Sequence, residues 1–196
     1  MQKIWIISPY YPGTSETACY GTYSKNNVGK GFEKVWQYDM DNKTIALGSN
    51  FMGSPEGMSE YEIRDALANT ELSKLDIKRY SKDTWIFWNK IEDEDIIVAK
   101  KGLREIVGVG KAFKDKKNKK ICFFSEEKGF ERTGNSFNTH PNFLNVKWIN
   151  KERKDFGEDF FYSERFAELE EILIVSKKYK FLPIIEELVN KLMMLK

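Results

Sequence analysis

Between Lys111 and Lys120 the chain reads Lys-Ala-Phe-Lys-Asp-Lys-Lys-Asn-Lys-Lys, six lysines against one aspartate. Ammonium groups at that density suit the neutralisation of successive phosphates along a nucleic-acid backbone. Each such contact releases counter-ions and adds a salt-sensitive, sequence-blind increment of affinity. A solvated lysine-rich turn has the same composition, and its place in the fold separates the two. Here the run directly follows an expected hairpin whose tip carries a second basic cluster, Lys100, Lys101 and Arg104. The planar guanidinium of Arg104 suits phosphate better than an ammonium does. The backbone-contact candidates are therefore Lys100, Lys101, Arg104, Lys111, Lys114, Lys116 and Lys117.

Signatures of catalysis are sparse. His140 is the only histidine, so a histidine-rich metal site is excluded and a histidine-based triad would depend on one loop residue with no evident nucleophile. Gly108-Val-Gly-Lys111 and Gly29-Lys-Gly31 lack the spacing and the hydroxyl of a phosphate-binding loop. Glu126-Glu-Lys128 and Asp76-Ile-Lys78 fit a metal-dependent nuclease pattern, but such tripeptides arise constantly in a chain that is 32% charged. The reading is a binding module without chemistry, metal or cofactor of its own. A hydrolase or nuclease with a cryptic acidic site is the competing enzymatic class.

Aromatic residues make up 14% of the chain, which suits a dense β core or a set of stacking surfaces. A base held between π faces gains roughly 1–3 kcal/mol from stacking, enough to offset much of the cost of unstacking it. Trp5 alternates within an apolar strand and reads as core, as does Trp148, which shares a strand face with Val146. Trp85 and Trp88 share a helix face with Ile91, which favours packing over ligand contact. Trp36 is the tryptophan left to face a ligand.

With 41% hydrophobic residues in 196, the chain can bury one substantial core. The net charge of +2, from 32 basic and 30 acidic residues, excludes a protein that coats nucleic acid indiscriminately, so any footprint is local. Cys19 and Cys122 are too few for a disulfide framework. No apolar run approaches the ~20 residues of a membrane span, and no secretory leader is read at the N-terminus, so a soluble cytoplasmic protein is expected.

The elements that must position these residues follow from hydrophobic period and punctuation. Lys3 to Ile7 form a first strand closed by Ser8-Pro9, and a long glycine-containing segment runs from Tyr10 to Gly31. Phe32 to Tyr38 fit a short helix or strand, and Thr44 to Leu47 a second strand. Ser59, with Glu62 three residues on, signals a capping box and a helix that contributes Tyr61, Ile63 and Leu67 as apolar contacts. A further helix is expected from about Ser81 to Ile91. Ile96 to Ala99 and Glu105 to Lys111 flank the Lys100-Lys101-Gly102 turn as a hairpin. Gly108 and Gly110 within its second strand mark a bulge, a barrel bend or a close backbone approach. Ile121 to Phe124 and Val146 to Trp148 add strands. Two helical stripes close the chain, Phe166, Leu169 and Leu173, then Ile185, Leu188, Leu192 and Leu195 after Pro183. The fold class is α+β, a small curved β-barrel with flanking helices in residues 1–152 and a C-terminal helical appendage or linker in 153–196.

Taken in order, Lys3-Ile-Trp-Ile-Ile-Ser-Pro9, Phe32-Glu-Lys-Val-Trp36, Thr44-Ile-Ala-Leu-Gly48, Ser59 to Leu67, Trp85-Ile-Phe-Trp88, the hairpin and Val146-Lys-Trp148 resemble the PUA-like barrels. The likeness is to their EVE and YTH branch, as found in the N-terminal specificity domain of McrB-like modification-dependent restriction proteins. The order and spacing of these pieces carry the resemblance, which spans about residues 3 to 150. It implies a domain that flips a methylated base out of double-stranded DNA into an aromatic pocket and directs motor and nuclease subunits of a restriction complex. If the parent chain is longer, the C-terminal helices mark where a motor domain would begin. RNA is the alternative ligand, since PUA-like and YTH-like domains also read modified RNA. The implied pocket lies where the first strand ends and beside residues 46–50. Ser8, Ser49 and Asn50 would bond the base edge, Tyr10, Tyr11 and Trp36 would supply faces, and Tyr38, Trp85 and Trp88 complete the candidates. Where the family commonly has a tryptophan after Ala-Leu-Gly, this chain has Ser49.

Overall fold

A computed structural model describes residues 2–9, 28–47, 53–70, 72–102, 104–134, 140–156, 166–168, 187 and 190–191. Four helices and eight strands are assigned among them. In chain order they are β1 (Ile4–Ile7), α1 (Val28–Asn42), β2 (Thr44–Leu47), α2 (Glu60–Ala68), α3 (Lys74–Asn89), β3 (Ile96–Lys101) and β4 (Glu105–Ala112). β5 (Cys122–Phe124), α4 (Glu126–Thr133), β6 (Asn142–Asn150), β7 (Lys154–Asp155) and β8 (Phe166–Glu168) follow. The architecture is α+β, with one mixed sheet curled into a half-barrel. Strand order is β2-β6-β4-β3-β1-β8, with β5 also on β6 and β7 on β4.

The sheet is organised around β1 and β3, which run parallel with Ile4 opposite Ile96 and Ile7 opposite Ala99. Asp95, nearly inaccessible, locks the start of both strands. Its carboxylate accepts from the Lys3 backbone N–H at 2.9 Å, the Trp5 indole N–H at 2.8 Å and the Glu92 backbone N–H at 2.9 Å. Three donors on one buried carboxylate compensate for its desolvation. The pair is buried on both faces, as expected of parallel strands covered by other elements; Ile7, Ile97, Val98 and Ala99 have no exposed surface.

The expected hairpin is present as β3 and β4, with Gly102 in the left-handed region at φ 60° in its turn. Both strand glycines have a physical cause. A Cβ on Gly108 would meet the Trp36 ring at 2.6 Å, and one on Gly110 would meet Val146 Cγ1 at 2.6 Å and the Lys147 carbonyl at 2.7 Å. The ladder also slips register between Val109 and Gly110 against β6, and between Ala99 and Lys100 against β4. Such bulges increase local twist and let the sheet curl.

Caps set the starts of α2 and α3, and apolar spacing sets the inward faces of α2 and α1. Ser59 caps α2 through the Glu62 N–H, the Glu62 carboxylate returns to the Ser59 N–H at 2.7 Å, and Ile63 and Leu67 point inward one turn apart. Tyr61, expected to pack, is instead 73% exposed because it lies off that stripe. Helix α3 begins at Lys74, seven residues before the Ser81 expected from sequence, because Ser73 accepts the Asp76 N–H at 3.1 Å. Phe32 to Tyr38 lie within helix α1, where Phe32, Val35 and Trp36 share the buried face.

Phe166, read as the start of a helical stripe, is in strand β8. There it pairs opposite Ile7, stacks on Trp5 with ring centroids 5.4 Å apart and meets the edge of Phe87. Sheet pairing and aromatic packing override the helical spacing that links it to Leu169 and Leu173, which lie outside the described residues, as do Ile185, Leu188, Leu192 and Leu195 of the second stripe. Among the described residues no helix is long and apolar enough to cross a membrane.

Candidate nucleic-acid interface

The lysine run leaves the sheet after β4 and returns to it at β5 as a built turn. Asp115 organises it: Oδ1 accepts the backbone N–H groups of Lys117 at 2.9 Å and Asn118 at 3.1 Å. The Asp115 N–H donates to the Lys120 carbonyl, and the Asp115 carbonyl accepts from the Lys119 N–H, both at 2.9 Å. Lys119 takes up a left-handed φ of 59° to close the turn. The backbone donors from Asn118 and Lys117 hold the Asp115 carboxyl below the usual carboxylate range. Bonds from the Lys114 N–H to Asp93 at 2.9 Å and from Asn145 Nδ2 to the Lys120 carbonyl at 3.2 Å help fasten the turn to the body.

The side chains of Lys114, Lys116, Lys117 and Lys119 stand exposed on this turn, and no salt bridge is assigned to any of them among the described residues. The other basic candidates are placed differently. Lys100 is buried at 3% exposure, because the strand continues through it and the turn begins only at Gly102. Lys101 pairs with Glu33 at 3.0 Å and lies 4.0 Å from Glu105, while its ammonium sits over the Phe32 ring. Lys111 pairs with Glu94 at 2.7 Å and Lys120 with Glu56. Arg104 is exposed in the hairpin turn. Of the basic candidates, those without a salt bridge among the described residues gather on the Asp115 turn, where Asp115 is the nearby carboxylate, and at the hairpin tip Lys101 is engaged by Glu33 and Glu105, which Arg153 also engages.

Two clefts flank the turn. The first, about 260 Å³, has Trp88, Asn89 and Ile91 from the end of α3 facing Lys114, Lys119, Lys120 and Cys122, with Glu56 and Gly57 at its rim. Trp88 is fixed there by its indole N–H to Asn142 Oδ1 at 3.0 Å. The second, about 300 Å³, is lined by Asn42, Lys43, Thr44, Phe113, Asp115, Asn118, Phe123, Lys128 and Asn145. Burial pushes the Cys122 thiol well above its usual value, so it is an unreactive part of the first cleft's wall.

The pocket residues expected from sequence are scattered. Trp36, expected as a stacking face, is 1% exposed, its ring held against Gly108 and edge-on to Trp148 at 4.7 Å between centroids, so no face is open to a base. Tyr38 gives its hydroxyl to Glu131 at 3.1 Å and is pushed up to about 12 by burial and that carboxylate. Trp85 is half-buried with the Lys90 ammonium over its ring. Ser8 is buried at the end of β1. Tyr10, Tyr11, Ser49 and Asn50 lie outside the described residues. Of the nine, only Trp88 lines one of the two clefts beside the lysine turn.

Beside Ser8 the structure adds a residue the sequence reading missed. Arg132, fully buried, clamps Asp39 through Nε at 2.7 Å and Nη2 at 2.6 Å, and Nη2 also reaches the Pro9 carbonyl at 2.6 Å. Its Nη1 has no partner among the described residues. Burial raises the Asp39 carboxyl to about 6 against the downward pull of Arg132. Only the helical spacing that turns Asp39 inward with Phe32, Val35 and Trp36 hints at this pair. Among the described residues no three His, Cys, Asp or Glu side chains are grouped to hold a metal ion.

A curled α+β sheet carrying a cationic turn between two clefts is the arrangement this chain presents. Residues 24–170 match the family model described as a domain of unknown function, DUF8426, and the chain belongs to that family. Comparison with curated proteins and with solved structures finds no match.

Proposed function

We propose that this chain is a non-catalytic DNA-binding specificity module of PUA-like type. It recognises a methylated base by flipping it from the duplex and, in the cytoplasm, targets the motor and nuclease subunits of a McrB-like restriction complex. The observation that carries the nucleic-acid reading is the Asp115 turn. Four exposed lysines sit on a backbone fixed by its own hydrogen bonds, next to clefts of a size suited to one planar group. Fixing the turn in advance lowers the ordering cost of binding. The curled sheet with glycine bulges supports the PUA-like assignment, and the methyl-reading and restriction roles rest on the sequence resemblance.

Binding of the full chain to duplexes carrying a single 6-methyladenine or 5-methylcytosine, against the unmodified duplex and the matched RNA, tests this reading. Preference for one modified DNA duplex is the expected result. Equal affinity for modified and unmodified duplexes removes the reader, and tighter binding to RNA through its 2′-hydroxyls replaces DNA by RNA.

A further inference from the structure

The cleft at Thr44 holds an unspent set of hydrogen-bonding groups. Thr44 is 2% exposed, and its Oγ1 is one of two buried side-chain polar atoms without a partner among the described residues. Its backbone is fixed by pairing with Asn145 across β2 and β6, and the residue lines the cleft. The asparagines around it are half used. Asn145 Nδ2 goes to the Lys120 carbonyl at 3.2 Å, Asn42 Nδ2 to the Tyr38 carbonyl at 3.0 Å, and Asn118 Oδ1 accepts the Lys120 N–H at 2.9 Å. Among the described residues two amide oxygens, one amide NH₂ and one hydroxyl have no protein partner, a mixed donor and acceptor edge.

The rest of the lining is aromatic and cationic. Phe113 supplies ring surface; Phe123 has one face stacked on Phe143 at 5.2 Å between centroids and the Lys128 ammonium over its ring at 5.1 Å, so it offers the cleft its edge. Lys43 stands at the rim, and the one carboxylate in the lining, Asp115, is committed to the amides of its own turn. An aliphatic ligand would leave the amides and hydroxyl unpaired, and a carboxylate-rich one would leave the rings unused. A ring with donors and acceptors on its edge and a phosphate attached uses all three features. The volume of about 300 Å³ is at the lower end of small-molecule sites.

We infer that this cleft binds one nucleotide, its base against Phe113 and the edge of Phe123, its polar edge on Thr44 and the asparagines, and its phosphate toward Lys43 and Lys128. The inference rests on the nucleic-acid reading and moves the base slot from the end of β1 to the flank of the lysine turn.

The full chain is titrated with the four deoxynucleoside monophosphates and with inorganic phosphate, followed by backbone amide NMR. At least one nucleotide is expected to give saturable shifts at residues 44, 113, 118, 123 and 145, which inorganic phosphate does not reproduce. Thr44→Val, which keeps the shape and removes the hydroxyl, is expected to weaken that nucleotide about tenfold, and Phe123→Leu by at least as much. No nucleotide response at these amides, or wild-type affinity in Thr44→Val, overturns the slot. Duplex binding that persists in that case leaves the backbone reading intact. Nucleotide binding without duplex binding upholds the slot and removes the DNA reading.

Discussion

At Arg132 and Asp39 two opposite charges lie wholly out of water, joined in bidentate geometry. Removing one partner of such a pair leaves a buried charge alone, at a cost of roughly 3–5 kcal/mol. Arg132→Met is therefore expected to lose about that much stability at neutral pH in urea denaturation. The Asp39 carboxyl titrates at about 6 when folded and near 3.8 when unfolded, so its stabilising contribution is full below 3.8 and is lost as pH rises through 6. Without Arg132 the folded value rises further, so the deficit of Arg132→Met shrinks as pH falls from 7.5 toward about 4.5; an equal deficit at both pH values contradicts the pair. Thr44 gives the opposite sign. A buried hydroxyl without a partner costs about 1–3 kcal/mol, so Thr44→Val is expected to hold or raise the melting temperature, and a fall shows that the hydroxyl is bonded. Gly108→Ala is expected to cost about 1–3 kcal/mol, because its methyl would lie 2.6 Å from the Trp36 ring. That contact is also why Trp36 is core and not a stacking face. Phe32, Val35 and Trp36 have the spacing of one helix face, but a short apolar run fits strand or helix, and only the packed glycine opposite shows the ring to be core.

Among the elements, those with local physical causes were legible and those made by distant pairing were not. The α2 capping box and the β3–β4 hairpin follow from residues within a few positions of each other. Strand β8 depends on Ile7, far away in sequence, and its Phe166 fits a helical stripe equally well until Trp5 and Phe87 are placed around it. The lysine run was visible from composition, but the pairing of Lys101 and Lys111 with Glu33 and Glu94, and the burial of Lys100, belong to the tertiary fold. The two clefts were invisible, because their walls come from α1, α3, α4, β2, β5 and β6 together. Asp115 is the element's own test. Asp115→Ala removes the acceptor for two backbone amides, so hydrogen exchange at Lys117 and Asn118 is expected to quicken while β4 and β6 stay protected. Unchanged exchange at those two amides contradicts a turn organised by that carboxylate.

For the molecule as a whole, near-balanced charge makes the distribution of lysines more informative than their number. A protein with a net charge of +2 that grips a phosphate backbone must do so locally, and the Asp115 turn is where exposed lysines free of assigned carboxylate partners gather. Four phosphate contacts predict a slope of about −3.6 for the logarithm of duplex affinity against the logarithm of salt concentration. The most direct measurement is that slope for the wild-type chain and for one in which Lys114, Lys116, Lys117 and Lys119 are all glutamine, with melting temperatures compared in parallel. A steep wild-type slope that flattens in the variant, with affinity lost and the fold retained, is the predicted result. A variant that melts as the wild type does and binds duplex with the same affinity and the same slope would contradict it.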